Sequence, residues 1–159
     1  MKHITPAIAA VLLLLACTTL EAQPTKAPAR SSSAATVERV IADYTALYNA
    51  KDLEEWRKLF HTDLVVASPE ADGNILVRNL KQFHNAQKRA FDAGTKMSER
   101  LQNIAIERGN HIAQVAADFI FTSNGKASRG TLGFHLVQGK EGWKITAIVY
   151  SYDQGQEPR

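Results

Sequence analysis

The sequence of 159 residues has little cysteine and no long apolar run. Its single cysteine, Cys17, cannot close an intramolecular disulfide or supply a cysteine-based zinc or iron–sulfur centre, so both are excluded. The longest apolar run covers positions 8–16, whereas a helix that crosses a bilayer needs about 20 residues, so no permanent transmembrane helix is predicted. The hydrophobic content of 45% exceeds that of a disordered chain, and we predict one globular domain.

Metal-ligand patterns are missing as well. The later part of the chain contains His61, His84, His111 and His135, but no two of them are four apart on a predicted helix or two apart on a predicted strand. The paired histidines that many zinc sites use are therefore absent. We predict no metal and no cofactor.

The sequence lacks the motifs and charge pattern of two further functional classes. No Gly-x-Ser-x-Gly turn surrounds Ser68 or Ser151, so the sequence does not support a hydrolase triad. The pI near 9.1 is basic, but the net charge is only +3, and 16 acidic residues are interspersed with the 19 basic ones. We predict no nucleic-acid partner.

The first 22 residues have the composition of an export signal. Lys2 and His3 form a basic start, and the apolar run 8–16 follows and stops before Cys17. A basic start and a short apolar core are typical of a segment that directs export and is then removed. The sequence thus places the protein on the periplasmic side of the membrane.

Two processing routes remain open for this signal. The stretch Leu14–Cys17 resembles the lipobox of bacterial lipoproteins, which implies lipidation of Cys17 and, with Thr18 after it, an outer-membrane location. The alternative is cleavage after Ala22, which would leave a soluble periplasmic or secreted protein. Residues 23–35 are rich in proline and serine and predict a linker, and 154–159 form a tail.

The domain at 36–153 begins with helical patterns around a small hairpin. Apolar residues at helical spacing predict a helix from 37 to 48, capped by Thr36. Asp52 and Glu55 predict the start of a short second helix that includes Leu59 and Phe60. Runs at 64–67 and 75–77 predict the hairpin, and a third helix follows a cap at Asn79 and ends at Gly94.

Four strand-like runs complete the domain, at about 101–107, 111–122, 127–138 and 142–152. Tight-turn residues separate them, and Asn124-Gly125 is the strongest hairpin signal. An antiparallel meander follows from this order. Three of the strands exceed the usual length of about 5–6 residues, which predicts a twisted and curved sheet whose concave side the helices fill.

The order of the elements and the short sequence segments at 48–53, 59–63 and 142–145 are similar to those of the nuclear transport factor 2-like superfamily. That superfamily includes ketosteroid isomerases, SnoaL-like polyketide cyclases and uncharacterised exported domains. The resemblance implies an α+β cone in which three N-terminal helices pack on a strongly curved antiparallel sheet. It covers 36–153, and its motifs are diffuse rather than catalytic.

The resemblance to ketosteroid isomerases permits a test of one mechanism. Those enzymes use a helix tyrosine as oxyanion donor and two acids, one of them as the base. Here Tyr44 falls at the tyrosine position, but Ser68 falls at the base and Leu132 at the second acid. An unassisted serine is too weak a base near neutral pH, and leucine donates no hydrogen bond. That mechanism is not expected, and whether the protein is an enzyme stays open.

A ligand pocket between helices and sheet is the site that the resemblance implies. The candidate lining residues are aromatic, apolar or hydroxylic side chains: Tyr44, Tyr48, Trp56, Ser68, Phe83, Phe119, Leu132, Phe134 and Ser151. The same pattern also fits an ordinary core. Three functions remain open: binding of a small apolar ligand, SnoaL-like or isomerase-like catalysis on a carbonyl substrate, and protein interaction through the sheet.

The outer face of the sheet is the predicted partner surface. Alternation places Asp118 opposite Phe119, and His135 opposite Phe134, so both polar residues should face outward. We expect a cross-strand pair between Asp118 and His135. In the superfamily this face is commonly a dimer interface, which implies a homodimer here.

Overall fold

The computed structural model of the protein describes residues 36–153. The predictions on the export signal, Cys17, the linker and the tail lie outside the described residues. Within 36–153, no helix has both the length and the apolar character needed to span a membrane.

Three helices form where the capping residues predict them: α1 (Val37–Asn49), α2 (Leu53–Arg57) and α3 (Leu80–Asp92). The side chains of Thr36, Asp52 and Asn79 each accept a hydrogen bond from a backbone amide of the first turn. Such caps satisfy amides that have no partner inside the helix. The three predicted helix starts are therefore confirmed.

The second helix is shorter than its apolar pattern predicted. It ends at Arg57, and Phe60 already belongs to a strand, where it pairs with Ile145. An apolar residue at the right helical spacing serves a strand equally well when a neighbouring strand offers backbone partners. The assignment of Leu59 and Phe60 to the helix was wrong for this reason.

Six strands form one sheet: β1 (Phe60–Pro69), β2 (Ile75–Asn79), β3 (Met97–Arg108), β4 (Ile112–Ser123), β5 (Lys126–Gly139) and β6 (Gly142–Tyr152). Their order across the sheet is β2-β1-β6-β5-β4-β3. All neighbours are antiparallel except β1 and β6, which run parallel. The α+β class and the curved sheet are confirmed, and the sheet is mixed rather than wholly antiparallel.

Burial separates the two faces of the sheet. Buried positions alternate with exposed or half-buried ones from Ala113 to Phe119 on β4 and from Ser128 to Leu136 on β5. The inward side packs on the helices around Trp56, whose ring centroid lies 4.7 Å from that of Phe60 and 5.3 Å from that of Phe83. The concave side of the sheet and the three helices thus enclose one core.

Asp118 and His135 do face outward, but they are not partners. Asp118 pairs with Thr131, and His135 pairs with Gln114. The two-residue turn at 124–125 sets this register, because residues equally distant from the turn lie opposite each other. The predicted Asp118–His135 pair was therefore wrong. Asp118 instead accepts a hydrogen bond of 2.6 Å from the side-chain amide of Asn103 on β3.

Strand β3 begins at Met97, earlier than the sequence predicted. Gly94, with a φ of 80°, turns the chain after α3 and lets the edge strand start at once. A bulge at Asn103, with a φ of 51°, then interrupts its pairing with β4 between Gln102 and Ala105. The early start brings Glu99 into the sheet.

Candidate functional site

A small cavity, here named the tyrosine chamber, lies between α1, α3 and the inward faces of β3–β6. Its volume is about 70 Å³, and its walls are aromatic and aliphatic except for a few polar groups. All four tyrosines of the chain line it. The full set of lining residues is Tyr44, Tyr48, Phe83, Gln87, Glu99, Phe119, Phe121, Leu132, Ile148, Tyr150 and Tyr152.

Helical and strand periodicity bring the tyrosines together. Tyr44 and Tyr48 are four residues apart on α1 and therefore share its inward face. Tyr150 and Tyr152 are two apart on β6 and therefore point to the same side of the sheet. The helix and the strand pack against the same core, so the four phenols converge on one volume.

Glu99 is the carboxylic acid of the chamber wall. Its side chain points inward from the edge strand β3, and its Oε2 accepts a hydrogen bond of 3.3 Å from the hydroxyl of Tyr44. Its backbone is held by Asn49 at the end of α1. The Nδ2 of Asn49 donates to the Glu99 carbonyl at 2.8 Å, and the Glu99 amide donates to Oδ1 of Asn49 at 2.8 Å.

Burial changes the acidity of these groups. It raises the pKa of Glu99 to about 7 from 4.5, while the hydrogen bond from Tyr44 acts in the opposite direction. Burial likewise raises the pKa of Tyr44 well above 10, and the nearby charge of Glu99 adds to this. The pKa values of Tyr48 and Tyr152 are also raised, chiefly by burial. These three phenols therefore stay neutral, whereas Glu99 changes charge near neutral pH.

Two of the four phenols have hydrogen-bond partners and two do not. Besides the Tyr44–Glu99 contact, the hydroxyl of Tyr48 donates to Oε1 of Gln87 at 2.8 Å. The hydroxyls of Tyr150 and Tyr152 have no hydrogen-bond partner among residues 36–153. The chamber thus contains two hydroxyl groups that are available to a guest molecule.

Phe119 forms one wall because a glycine lies opposite it. Phe119 pairs across the strands with Gly130. A Cβ atom at Gly130 would lie 2.1 Å from the carbonyl oxygen of Ser151 and 2.7 Å from the Phe119 ring. Without that atom the ring reaches Tyr152, with a centroid separation of 5.2 Å and nearly perpendicular planes.

A much larger groove, of about 670 Å³, lies beside α2, but its features are those of a surface. Two of its three lysines have acidic neighbours: Lys58 lies 2.5 Å from Glu55, and Lys144 lies 3.7 Å from Glu141. Tyr44 and Glu99, whose pKa values are raised by burial, lie in the tyrosine chamber instead. Converging polar groups with perturbed pKa values in an apolar cavity are typical of functional sites, so we take the chamber as the candidate site.

Residues 36–153 contain no cluster of three or more histidine, cysteine, aspartate or glutamate side chains arranged to hold a metal ion. The polar groups of the chamber are one carboxyl, one carboxamide and four phenols. These groups can donate and accept hydrogen bonds and can transfer a proton at Glu99.

Comparison with known proteins assigns the family. A model described as SnoaL-like domain matches residues 37–153, which is most of the chain. The chain belongs to the SnoaL-like domain family. The predicted nuclear transport factor 2-like superfamily is thereby confirmed. No sequence match was found among the curated proteins.

Solved structures share the fold of this SnoaL-like domain. The β subunit of benzoate 1,2-dioxygenase from Burkholderia mallei has a TM-score of 0.64 at 12% identity, over 77% of this chain and 92% of that one. A putative scytalone dehydratase from Novosphingobium aromaticivorans has a TM-score of 0.62 at 17% identity, over 77% and 86%. A protein of unknown function with a cystatin-like fold from Nostoc punctiforme has 0.58 at 11%, over 75% and 90%. These identities show a common fold.

Five of the nine predicted pocket residues of the SnoaL-like domain lie on the chamber wall: Tyr44, Tyr48, Phe83, Phe119 and Leu132. Trp56 and Phe134 are fully buried behind it. Phe134 packs against the Tyr44 ring at a centroid distance of 4.9 Å. Both are core residues that pack behind the chamber wall.

The two predicted serines do not lie on the chamber wall. Ser68 is buried on β1, outside the set of lining residues. Ser151 lies between Tyr150 and Tyr152 on β6, so alternation turns it to the other face, and its hydroxyl donates to the backbone oxygen of Tyr152 at 3.2 Å. Counting alternate residues from the tyrosines would have predicted this.

The most informative chamber residue, Glu99, was missed by the sequence reasoning. The predicted strand began at about 101, which left Glu99 in a loop. The signal was present, because Met97, Glu99 and Leu101 alternate and would share one face of a longer strand. Alternation within the predicted last strand would likewise have placed Tyr150 and Tyr152 on the same face of the sheet.

Proposed function

We propose that the tyrosine chamber binds the oxygen-bearing end of a small, otherwise apolar molecule. The observation that carries this proposal is the half-buried carboxyl of Glu99, bonded to the buried Tyr44 beside the unpaired hydroxyls of Tyr150 and Tyr152 in an aromatic cavity. Ligand sites are typically apolar with a few convergent polar groups that set orientation. The chamber has this composition.

The charge state of the chamber selects for a neutral oxygen. The raised pKa values of Tyr44, Tyr48 and Tyr152 keep these phenols protonated, so they donate hydrogen bonds. Above about pH 7 Glu99 is negative, and its charge would repel a carboxylate or phosphate. An alcohol or a carbonyl compound therefore fits better than an anion.

The test uses 1-butanol as a small neutral probe, followed by NMR titration of the protein. The double variant Tyr150→Phe/Tyr152→Phe keeps both rings and removes both free hydroxyls. At about 1 kcal/mol for each hydrogen bond, we expect binding to weaken by about fivefold or more. Ser151→Ala is the matched control, since it removes the hydroxyl between the two tyrosines on the opposite face. Equal binding by the double variant and the control contradicts the proposal.

A catalytic role is the second candidate, and the pKa of Glu99 favours it. A carboxylate with a pKa of about 7 is well suited to remove a proton from the carbon next to a carbonyl, and a neutral tyrosine can polarise that carbonyl. The acid would act from β3 rather than from the position of Ser68. One structural neighbour is described as a putative scytalone dehydratase, which is consistent with this second candidate.

Deuterium exchange at the α-carbon of 2-butanone in D₂O, followed by NMR, tests the catalytic candidate directly. We expect exchange above the solvent rate that disappears in Glu99→Gln and decreases in Tyr44→Phe. Ser68→Ala is the control and should exchange like the wild type. Exchange that persists in Glu99→Gln rules out Glu99 as the base.

We also propose that the outer sheet face forms a homodimer. One row of small or apolar residues crosses all six strands on this face, each paired with the next: Val77, Ala67, Val149, Gly133, Ala116 and Ala105. Val77 and Val149 are 57% and 54% exposed. A second copy would cover this row with the same surface, as in an isologous interface.

Light scattering during size exclusion tests the dimer. Val149→Asp places a charge in the centre of the row and should convert a dimer into a monomer. Ile104→Asp, also about half exposed but on β3 beside α1, is the control and should leave the dimer intact. A monomeric wild-type protein contradicts the proposal.

The export proposal concerns residues outside the described range. The apolar run 8–16 and the lipobox-like stretch Leu14–Cys17 support it. The mass of the mature N-terminus separates the two routes: an acylated Cys17 supports the lipid anchor, and a chain that starts at Gln23 supports the soluble form. Retention of Met1 in the mature protein contradicts both.

A further inference from the structure

Glu99 lines a second volume in addition to the tyrosine chamber. This volume, here named the α1–β3 groove, measures about 460 Å³ and runs between the first helix and the edge strand. Its lining residues are Glu38, Ile41, Ala42, Thr45, Ala46, Asn49, Glu99, Arg100, Leu101, Ile104 and Ile106. The large groove beside α2 shares no lining residue with the chamber. Chamber and groove therefore meet at Glu99.

The middle of the α1–β3 groove is apolar, and its ends are polar. Ala42 and Ala46 lie one turn apart on the exposed side of α1, and their short side chains leave the space open. Leu101, Ile104 and Ile106 form the opposite wall, and Ile104 is 47% exposed. Covering the half-exposed Ile104 side chain with a hydrocarbon would be favourable, because it removes apolar surface from water.

The edge strand contributes these apolar residues because it is bulged. Pairing with β4 is interrupted between Gln102 and Ala105, and Asn103 takes a left-handed backbone conformation. A bulge of this kind changes where the following side chains point. Leu101, before the bulge, and Ile104 and Ile106, after it, consequently line the same groove.

The volumes decide which part of a ligand each site can hold. One water molecule occupies about 30 Å³ of liquid, so the chamber of about 70 Å³ admits only an end group of that order. Ligand sites usually measure about 300–1,000 Å³. The α1–β3 groove by itself falls within this range. A ligand with its oxygen in the chamber needs such a neighbouring volume for the rest of its atoms.

Asn49 links the wall of the groove to Glu99. It lines the groove, and its side chain makes both hydrogen bonds to the backbone of Glu99. It is exposed at the end of α1, where no core packing holds it. Asn49 therefore holds the backbone of Glu99, which lines both volumes.

We propose that the α1–β3 groove binds the hydrocarbon chain of the ligand whose oxygen occupies the tyrosine chamber, so that the ligand is a neutral amphiphile. This inference rests on the proposed function of the chamber. The oxygen lies in the tyrosine chamber, and the chain passes Glu99 and follows α1 toward Glu38. The 11 steps along α1 from Asn49 to Glu38 span about 16 Å at 1.5 Å per residue, which sets the length of chain that the groove can cover.

A series of 1-alkanols from 1-butanol to 1-decanol, titrated into the full chain, tests this inference. Each methylene that enters the groove should increase affinity about fourfold, the equivalent of about 0.8 kcal/mol. Ala46→Trp fills the groove from the exposed face of α1 and should abolish the dependence on chain length, so that 1-decanol binds no better than 1-butanol. Ala93→Trp, at an exposed position after α3, is the matched control and should keep the dependence.

The outcomes separate this inference from the chamber proposal. If 1-butanol binds through Tyr150 and Tyr152 but longer alcohols bind no better, the groove inference is overturned and the chamber proposal stands. If no alcohol binds, both fail. Should Ala46→Trp not fold, Ile104→Asp places a charge on the opposite wall, and it should likewise remove the gain with chain length. A gain that persists in Ile104→Asp overturns the inference.

Discussion

Replacing Glu99 by glutamine tests the electrostatic description of the chamber. Among the residues that line the chamber, Glu99 is the only carboxylic acid. Glutamine has nearly the same shape, and its carbonyl oxygen can accept the hydrogen bond from Tyr44. The substitution therefore removes the titration and leaves the packing almost unchanged.

The expected magnitude follows from the two pKa values of Glu99. The side chain has a pKa of 4.5 when unperturbed and about 7 in the folded protein. Between these values the unfolded chain has lost the proton and the folded chain retains it, so the free energy of unfolding falls as pH rises. One pKa unit corresponds to 1.36 kcal/mol, which makes the full difference about 3 kcal/mol. Solvent reaches part of the side chain, and we expect about 2 kcal/mol.

Urea denaturation of both proteins at pH 4.5 and pH 8 measures this effect. At pH 4.5 Glu99 is neutral in the folded protein and about half ionised in the unfolded chain, so the two free energies of unfolding should agree to within about 0.5 kcal/mol. At pH 8 Glu99→Gln should be more stable by about 2 kcal/mol, because the wild-type protein keeps a charge buried in the chamber. Titrating histidines act equally on both proteins and cancel in the difference. A gap that is the same at both pH values refutes a buried Glu99 with a raised pKa.

Two further substitutions test the geometry around the chamber. Gly130→Ala forces a Cβ against the Ser151 carbonyl and the Phe119 ring, and it should lower the free energy of unfolding in urea by about 1–3 kcal/mol. Gly133→Ala is the control and should cost little, because the atom nearest to its new Cβ lies at 3.8 Å. Equal costs for the two variants would contradict the close approach at Gly130. Asn49→Ala removes both hydrogen bonds to the backbone of Glu99. Hydrogen exchange of the Glu99 amide proton, followed by NMR, should then accelerate markedly. An unchanged exchange rate would show that Asn49 does not hold the strand.

Local features of the fold were predictable because their causes lie within a few residues. Thr36, Asp52 and Asn79 cap helices through amides three residues away. Asn124 and Gly125 adopt the positive φ angles that a two-residue hairpin turn requires. The turn also dictates the pairing of Asp118 with Thr131, which simple counting from the turn would have predicted.

The parallel contact of β1 with β6 was not predictable in the same way. It joins Phe60 to Ile145, residues far apart in the chain that carry no mutual signal in the sequence. The same holds for Asn49 and Glu99, whose contact depends on how α1 packs across the edge of the sheet. Backbone contacts of this kind are decided by the packing of whole elements rather than by local propensity.

The sequence by itself determined the α+β class, the helix starts, the turns and the family, because periodicity, caps and turn residues act locally and appear in a single chain. It also showed which residues are aromatic, but not that all four tyrosines meet. Only the tertiary structure decided that they surround Glu99, whose pKa rises to about 7 because elements distant in the chain shield it from water. The tertiary structure likewise placed the α1–β3 groove beside this carboxyl, because its walls come from a helix and an edge strand separated by some 50 residues.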